Sequence, residues 1–401
     1  MIENIAAFYS QNARNMKCSE IRELLKVTRQ PDIISFAGGL PGPETFPTKE
    51  IEDIACAVLR GRGSVALQYG PTEGESPFRE ELAKWMSREK YIVKADNIIA
   101  TNGSQQGLDI VSKVFLDPHD VVIVELPSYI GGLQAFTAYR ARLIGVPQDN
   151  EGMRTDLLEK TLRNLKAKNK KPKFIYVVPD FQNPSGATMP LDRRKKLLEL
   201  AYEYGVPILE DSPYKDLRYR GKPVPAIFSL DKEHQVMVLG TFSKILGPGL
   251  RLAWIMAPSE WMERMVVAKQ SMDLCSTVFT QLIAEEYMKR GFLPKQIEKI
   301  RGIYGRKLST MLKALEKNMP DGVTWSKPEG GLFLWLKLPK RMSANELFPK
   351  AIKNKVAYVI GSAFYCDGKG QNTMRINFSY PTEQQIDEGI QRLATIIKQN
   401  L

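Results

Sequence analysis

The stretch VMVLGTFSKILGPGLR, residues 236–251, decides the fold. Its apolar first half predicts a strand buried on both faces, which is typical of a parallel sheet between layers of helices. Lys244 follows just beyond the end of this strand, at the position where open α/β sheets bind their ligands. Two hydroxyls (Thr241 and Ser243), two glycines and Arg251 surround the lysine, and donors of these kinds suit a phosphate group. Taken alone, the stretch also fits a surface loop with a solvated lysine.

The chain on either side repeats this pattern of short apolar runs. From about residue 97 the runs alternate with amphipathic helical stretches, which predicts an α/β fold with a mostly parallel sheet flanked by helices. The other runs occupy residues 97–101, 121–125, 142–146, 174–178, 207–211 and 252–256. After about residue 260, long helical patterns and two late strands, near 331–336 and 374–378, indicate a smaller α+β domain.

The N-terminal part of the chain has a different pattern. Residues 1–30 look helical, with Ile21, Leu24 and Leu25 at helical spacing, and residues 50–60 again predict a helix. The segment between them, residues 31–48, is rich in Gly and Pro and predicts extended, irregular chain. We therefore expect residues 1–48 to pack on the small domain and the active site, with a large domain over 49–295 and a small domain over 296–401.

Two polar residues end or follow predicted strands and could serve a ring-shaped ligand. Asp211 closes a buried strand, which is costly unless the carboxylate is paired. A protonated pyridine nitrogen would pair it, although an Asp before Ser-Pro also makes a good helix cap. Asn183 lies in a turn after another strand, and its amide could donate to a ring oxygen. An ordinary Asn-Pro turn is the alternative.

Two further strand ends complete the set. Residues 102–107, NGSQQG, lie between a strand and a helix, where backbone N–H groups and Ser104 can bind an anion. Tyr129 follows the next strand and could stack on a ring, or else be a core tyrosine. Each signal is weak alone, but five strand ends in chain order supply a phosphate cradle, a stacking ring, an amide, a carboxylate and a lysine.

Composition excludes several other classes of function. The chain of 401 residues has a net charge of +12, but the positive charges are spread along it, so we expect no nucleic-acid partner. The two histidines have no metal-binding spacing, which argues against a metal centre and a Ser-His-Asp triad and leaves lysine as the candidate base. Four separated cysteines predict a reducing cytoplasm. No apolar run is long enough to span a membrane.

These motifs together resemble the fold-type I enzymes that use pyridoxal 5′-phosphate (PLP), in the class I/II aminotransferases. The spacing from Asn183 to Asp211, the Tyr214 three residues after Asp211, and the Arg251 seven residues after Lys244 carry the resemblance, which covers nearly the whole chain. The chain is most similar to the α-aminoadipate and kynurenine aminotransferases. The segments that point to this subgroup are EIRELL (20–25), SFAGGLP (35–41), LQYGPTEG (67–74) and GSQQ (103–106).

The resemblance implies a role for each site residue. Lys244 would hold the cofactor covalently and move the proton, and Asp211 would pair the pyridine nitrogen. Asn183 and Tyr214 would hydrogen-bond the phenolic oxygen, and Tyr129 would stack on the ring. The phosphate would be held by Ser104, Gln105, Thr241, Ser243 and Arg251. Tyr69 would reach the phosphate or substrate of a neighbouring subunit, which implies a homodimer with shared active sites.

The resemblance also implies three substrate-binding residues. Arg375, in the late strand TMRINF, would bind the substrate α-carboxylate, and Gly39 would face the substrate. Arg22 would bind the distal carboxylate of acidic substrates and swing away for aromatic or aliphatic side chains. Without the resemblance, Arg375 fits a surface strand and Arg22 a surface ion pair.

The expected activity is amino transfer from an amino acid to a 2-oxo acid such as 2-oxoglutarate, by a ping-pong mechanism. Aminoadipate, glutamate, kynurenine, aromatic and leucine-like donors all stay open. A β-lyase or decarboxylase of the same fold is an alternative, because the protein chooses which bond the cofactor breaks. A ligand-sensing regulator with an aminotransferase-like domain is a more remote one, because only about 30 residues precede the Gly-Pro segment.

Overall fold

A computed structural model describes residues 5–15, 32–88 and 91–401. Its strands are β1 (Ile34–Ser35), β2 (Ile98–Thr101), β3 (Val121–Leu126), β4 (Arg142–Asp149), β5 (Gly152–Met153), β6 (Phe174–Val177), β7 (Ile208–Asp211), β8 (Val236–Thr241), β9 (Ala253–Met256), β10 (Thr324–Trp325), β11 (Phe333–Lys337), β12 (Val356–Ala357), β13 (Val359–Ile360) and β14 (Thr373–Asn377). The predicted helix around Ile21, Leu24 and Leu25 lies outside the described residues, and so does Arg22.

The helices flank these strands in chain order. They are α1 (Gln11–Asn15), α2 (Thr48–Ala66), α3 (Ser76–Ser87), α4 (Ser104–Phe115), α5 (Ile130–Ala138), α6 (Thr155–Ala167), α7 (Leu191–Tyr204), α8 (Ile227–Leu230), α9 (Ser259–Asp273), α10 (Val278–Lys289), α11 (Phe292–Asn318), α12 (Ala344–Lys353) and α13 (Glu383–Lys398). Among the described residues, no helix is both long and apolar enough to cross a membrane.

The large sheet has eight strands in the order β2-β9-β8-β7-β6-β3-β4-β5. Strands β4, β3, β6, β7 and β8 are parallel neighbours, whereas β9 pairs antiparallel with both β8 and β2, and β5 pairs antiparallel with β4. The prediction of a mostly parallel sheet is confirmed, with each apolar run found as a strand within a few residues. Because these parallel strands share one direction, their carboxyl ends meet at one edge of the sheet.

Close packing at the centre of this sheet depends on a glycine. Gly240 in β8 is paired with Trp254 in β9, and a Cβ at Gly240 would lie 2.1 Å from the indole ring. The central strands β6, β7 and β8 are buried along their whole length, because helices cover both faces of the sheet. Such a scaffold holds the loops at its carboxyl edge in fixed positions.

A second, antiparallel sheet has the strand order β10-β11-β14-β13. Helix α11 packs along α13 beside it. The segment predicted to be irregular over residues 31–48 contains β1, which pairs in parallel with β12, and a short 3-10 turn at Pro43–Thr45. The Asn377 N–H donates to the Phe36 carbonyl at 2.9 Å. The bond between Phe36 and Asn377 holds the extended segment beside β14, the strand that carries Arg375.

Candidate active site

A cavity of about 470 Å³ opens where the carboxyl ends of the large sheet meet the second sheet. Twelve of the fourteen residues predicted from the sequence line it: Gly39, Ser104, Gln105, Tyr129, Asn183, Asp211, Tyr214, Thr241, Ser243, Lys244, Arg251 and Arg375. Tyr69 does not line the cavity; its side chain is 78% exposed on the surface of the same chain. Arg22 lies outside the described residues.

Lys244 ends a short 3-10 turn, Phe242–Lys244, directly after β8. Its Nζ donates to the carbonyl oxygen of Gly39 at 2.9 Å. Burial, and then the positive charges of Arg375 and Arg251, lower the pKa of the Lys244 amine to about 8. Roughly a tenth of the amine is therefore neutral at pH 7, a much larger share than for an ordinary lysine, and this neutral form is the one that can act as a nucleophile or a base.

Asp211 ends β7 and is buried. Its Oδ2 accepts a hydrogen bond from the Tyr176 hydroxyl at 2.7 Å, whereas its Oδ1 has no partner among the described residues. Burial raises the pKa of the carboxyl to about 7, although the Tyr176 bond acts in the opposite direction. No helix begins at Asp211, and the next one starts at Ile227, so the helix-cap interpretation of this residue is wrong.

Arg375 extends from β14 to the opposite wall of the cavity. Its Nη1 donates to Asn183 Oδ1 at 2.9 Å and its Nη2 to the Ala37 carbonyl at 2.8 Å, while Nε has no partner among the described residues. The guanidinium carbon lies 4.1 Å from the ring centre of Phe333. Arg375 is buried, so the surface-strand interpretation is wrong. Burial lowers its pKa to about 10.

Asn183 and Tyr214 lie side by side in the same wall. The Asn183 amide nitrogen is 3.5 Å from the Tyr214 hydroxyl, and both residues are buried. Because the carbonyl end of Asn183 is taken by Arg375, its amide end faces the same side as the phenol. The pair can therefore donate two hydrogen bonds to one oxygen atom of a ligand.

The other end of the cavity is built for an anion. Ser104 is the first residue of the 12-residue helix α4, and its buried Oγ has no partner among the described residues. Arg251, in the left-handed region with φ 49°, donates from Nη1 to the Pro248 carbonyl at 3.2 Å and from Nη2 to the Asn102 carbonyl at 3.3 Å. A Cβ at Gly103, whose φ is 87°, would lie 2.2 Å from Arg251 Nη2. A helix N-terminus, a free hydroxyl and a guanidinium together suit a phosphate.

The remaining predicted donors lie around this anion site. The Thr241 hydroxyl donates to Ser243 Oγ at 2.9 Å, and the Gln105 amide donates to the Gly131 carbonyl at 3.0 Å. Tyr129 lies next to the same glycine, because a Cβ at Gly131 would lie 2.5 Å from the Tyr129 ring. The missing side chain of Gly131 thus leaves room for both the aromatic ring and the amide at the edge of the cavity.

Sequence reasoning missed a buried network that joins two loops of the site. The Gln182 amide donates to Glu125 Oε2 at 3.1 Å and to the Pro127 carbonyl at 3.0 Å. Its own oxygen accepts from both the N–H and the hydroxyl of Ser185, each at 2.8 Å. Burial raises the pKa of Glu125 to about 8. The loop that carries Tyr129 is therefore tied to the loop that carries Asn183.

Aromatic contacts were also missed. Phe333 and Phe364 both lie against Arg375, with ring centres 4.1 and 5.1 Å from the guanidinium carbon. An apolar run such as GLFLWL gives no signal for this role. For Tyr176, the signal was a hydroxyl-bearing residue inside a run of buried apolar residues, where an unpaired polar group is costly.

The cavity has the donor set of a phosphorylated pyridine aldehyde. A phosphate would take the free Ser104 hydroxyl, a basic ring nitrogen the free oxygen of Asp211, and an aldehyde the amine of Lys244. The buried atoms Ser104 Oγ and Asp211 Oδ1 have no hydrogen-bond partner among the described residues, which is costly, and such a ligand would supply a partner for each. The residues present therefore fit PLP.

Comparison with known proteins agrees with this fit. The family model for aminotransferase class I and II matches residues 37–393. The chain is 49% identical to aromatic-amino-acid aminotransferase 1 of Thermococcus litoralis, over 98% of this chain and 95% of that one. It is 41% identical to the 2-aminoadipate transaminase of Thermus thermophilus, over 97% and 96% of the two chains.

Solved structures give the same result. The kynurenine aminotransferase of Pyrococcus horikoshii, solved in complex with PMP, is 48% identical and superposes with a TM-score of 0.97 over 100% of this chain and 99% of that one. Together with the geometry of the cavity, these matches show that the chain belongs to the class I and II aminotransferases, fold-type I enzymes that transfer amino groups with PLP.

Proposed function

We propose that this enzyme moves the amino group of an amino acid to a 2-oxo acid such as 2-oxoglutarate, in two half-reactions at the cavity around Lys244. The observation that carries the proposal is the amine of Lys244, which has a pKa of about 8 and shares one cavity with Asp211 and Arg375. When bound, PLP supplies a carbonyl carbon that captures amino groups and a ring that withdraws electrons from the substrate Cα.

We assign the chemistry of the protein to a few side chains. Lys244 would hold the cofactor and accept the proton from the substrate Cα. Asp211 would keep a negative charge beside the ring nitrogen and so hold a proton there. Asn183 and Tyr214 would donate to the phenolic oxygen, and Tyr129 would cover the ring.

The anion donors divide between the two ends of the cavity. Ser104, Gln105, Thr241, Ser243 and Arg251 would hold the phosphate. Arg375 would bind the substrate α-carboxylate through a bidentate pair, with Gly39 facing the substrate. This division would fix the substrate Cα between the carboxylate site and Lys244. The Cα is bonded both to the carboxylate held by Arg375 and to the amino group held at the cofactor, so its position is determined from both ends.

Replacing the lysine tests the assignment. Borohydride reduction of the PLP-loaded enzyme should label a single peptide, the one that contains Lys244, and Lys244→Ala should abolish both the label and amino transfer. The control variant Lys222→Ala changes an exposed lysine and should keep both. A label on any other lysine rejects the assignment.

The products separate amino transfer from the lyase and decarboxylase alternatives. With an amino donor alone, one equivalent of 2-oxo acid should form for each equivalent of pyridoxamine phosphate. Subsequent addition of 2-oxoglutarate should regenerate PLP. Release of carbon dioxide, or of a β-substituent without pyridoxamine phosphate, would assign the alternative activity instead.

The donor range of this enzyme is part of the proposal. We propose that it accepts acidic, aromatic, kynurenine-like and leucine-like donors. The names of the relatives, aromatic-amino-acid aminotransferase and 2-aminoadipate transaminase, support this range. Arg22 would bind the distal carboxylate of acidic donors, on the basis of its place in the EIRELL segment.

We further propose a homodimer in the cytoplasm, with residues 1–48, 49–295 and 296–401 as its functional units. Leu67 and Tyr69 are each 78% exposed next to α2, which supports burial of this surface against a second copy. Tyr69 would then complete the cavity of the partner.

Mixing two inactive variants tests the shared site. A hybrid of a Lys244→Ala subunit and a Tyr69→Ala subunit has one site with both residues intact, so activity should return when the two variants are refolded together. Light scattering should give twice the chain mass of 45.4 kDa. A monomer, or no complementation in a stable dimer, contradicts the shared site.

A further inference from the structure

Tyr176 is held rigidly beneath the floor of the cavity. It lies in β6, paired with Leu209 in β7 and Val124 in β3, and it is fully buried. Its ring meets Phe136 edge to face at 5.2 Å, and a Cβ at Gly132 would lie 3.0 Å from it. These close contacts restrict movement of the ring, as dense packing does in a protein interior.

The hydroxyl of this ring is committed to one acceptor. It donates to Asp211 Oδ2 at 2.7 Å. Burial and the nearby Asp211 raise the pKa of the Tyr176 phenol well above its ordinary range, so the phenol keeps its proton and stays a donor. Asp211 is left with one bonded oxygen and one free oxygen, Oδ1.

A hydrogen bond of this kind affects where a shared proton lies. When the ring nitrogen of the cofactor faces Asp211, one proton can lie on the nitrogen or on the carboxylate. A donor to the carboxylate stabilises its charged form and lowers its proton affinity. A protonated ring nitrogen withdraws electrons far better than a neutral one, so the position of this proton controls reactivity.

We propose that Tyr176 is a positioning residue for the cofactor: it fixes the rotamer of Asp211 so that Oδ1 faces the ring nitrogen, and it holds the shared proton on that nitrogen. This inference rests on the proposed role of Asp211. It assigns a residue that lies outside the cavity, contacts neither cofactor nor substrate, and acts only through the Asp211 side chain.

The chain contains a matched control for this pair. Tyr202 donates to Asp231 Oδ1 at the same distance, 2.7 Å, and neither residue lines the cavity. Removing the hydroxyl of Tyr202 therefore measures the effect of losing a phenol–carboxylate bond of this length away from the cavity. A positioning role predicts that only the pair under the cavity affects the cofactor.

The experiment uses pyridoxamine phosphate labelled with ¹⁵N in the ring and bound to wild type, Tyr176→Phe, Tyr202→Phe and Asp211→Ala. Tyr176→Phe keeps the packed ring, and circular dichroism checks the fold. The ¹⁵N resonance should move from the protonated towards the unprotonated position in Tyr176→Phe, and the Kd of pyridoxamine phosphate should rise by about ten- to hundredfold, the range for a hydrogen bond to a charged group. Tyr202→Phe should leave both unchanged.

The variants separate the two levels of the inference. If Asp211→Ala moves the resonance and Tyr176→Phe does not, Tyr176 is only structural and the proposed role of Asp211 stands. If neither variant moves it, the role of Asp211 itself is wrong, and the proposal for Tyr176 fails with it.

Discussion

Arg194 and Arg375 are both buried arginines close to the carboxyl edge of the large sheet, but their surroundings differ. All five N–H groups of Arg194 are used: they donate to Asp180 and to the backbone carbonyls of Pro179, Met189 and Pro225. Arg375 donates to an amide oxygen and one carbonyl, and its Nε has no partner among the described residues. It forms no salt bridge with a described carboxylate.

The difference separates a structural charge from a binding charge. Arg194 is paired with Asp180 within the fold and ties α7 to the loop after β6. Its charge is therefore neutralised without a ligand. Burying Arg375 without a carboxylate is costly, and burial lowers its pKa to about 10. In the role proposed for Arg375, the carboxylate of a substrate would supply the missing anion.

The largest effect on stability is expected at Arg194. Arg194→Met leaves the buried Asp180 with only its longer ion pair to Arg218, at 4.0 Å. The free energy of unfolding should fall by about 3–5 kcal/mol, measured as a fall in the urea midpoint of the apoenzyme. The double variant Arg194→Met with Asp180→Leu should recover much of this loss. Unchanged stability in the single variant would remove the contrast with Arg375.

Arg375→Ala should have the opposite profile. It removes one side of a charge-assisted pair with the α-carboxylate. The kcat/KM should therefore fall ten- to hundredfold for every amino-acid donor alike, a loss of about 1.5–3 kcal/mol in transition-state stabilisation. The urea midpoint should fall less than in Arg194→Met, because loss of an uncompensated buried charge offsets part of the lost packing and hydrogen bonds. Arg375→Lys should recover only part of the activity, since an ammonium cannot bind both oxygens in a fork. A loss confined to one donor would contradict the assignment.

Glu125 provides a test of how an unpartnered buried atom outside the cavity affects stability. Its Oε1 is buried and has no partner among the described residues, and its pKa is raised from 4.5 to about 8. Between these pH values the folded protein keeps a proton that the unfolded chain has lost, so the contribution of Glu125 to stability falls as the pH rises.

The variant Glu125→Gln removes this titration and keeps the bonds to Gln182 and to the backbone. Its stability relative to wild type should rise from pH 4.5 to pH 8, by at most about 1.4 kcal/mol per pH unit, and then level off. Urea unfolding across the pH range measures the difference. A stability difference that does not change with pH would mean that Glu125 is charged in the folded protein. The next variant to measure would then be the isosteric Gln182→Glu, which changes the hydrogen-bond partner of Glu125.

The smallest effect is expected at Arg22, an arginine that would be occupied with some substrates only. Arg22→Ala should reduce kcat/KM for glutamate, aminoadipate and 2-oxoglutarate by about tenfold, the value of one charge-assisted bond, and should spare leucine and aromatic donors. Steady-state kinetics with both classes measure this. Equal losses for both classes would leave a structural role alone.

Sequence patterns predicted the sheet and the residues at its edge because both depend on local signals. An apolar run followed by polar residues marks a strand end, and the direction of parallel strands brings such ends together. The partners of those residues were not predictable in this way. Arg375 meets Asn183 across 192 positions of the chain, and Lys244 meets Gly39 across 205, so no periodicity within a segment encodes these contacts.

Strand direction at the sheet edge was also beyond the local patterns. The run 252–256 became β9, which is antiparallel to its neighbours, because only a short connection separates it from β8 and a parallel return requires a longer crossover. Tyr176 was counted as one more strand residue, although its hydroxyl needed a buried acceptor.

The extended segment between Ala37 and Gly39 supplies uncharged hydrogen-bond acceptors to Arg375 and Lys244. The Ala37 carbonyl accepts from Arg375 and the Gly39 carbonyl from Lys244, so both donors are held by backbone dipoles and not by carboxylates. A ligand that takes over either donor displaces a carbonyl, without first having to break an ion pair. Under the proposed function, these two carbonyls would give up their hydrogen bonds to Arg375 and Lys244 when a substrate binds. Since only main-chain carbonyls accept from these two donors, engineering of this enzyme should preserve the path of the backbone here, and Ala37 should stay small because its side chain is fully buried in an apolar cluster.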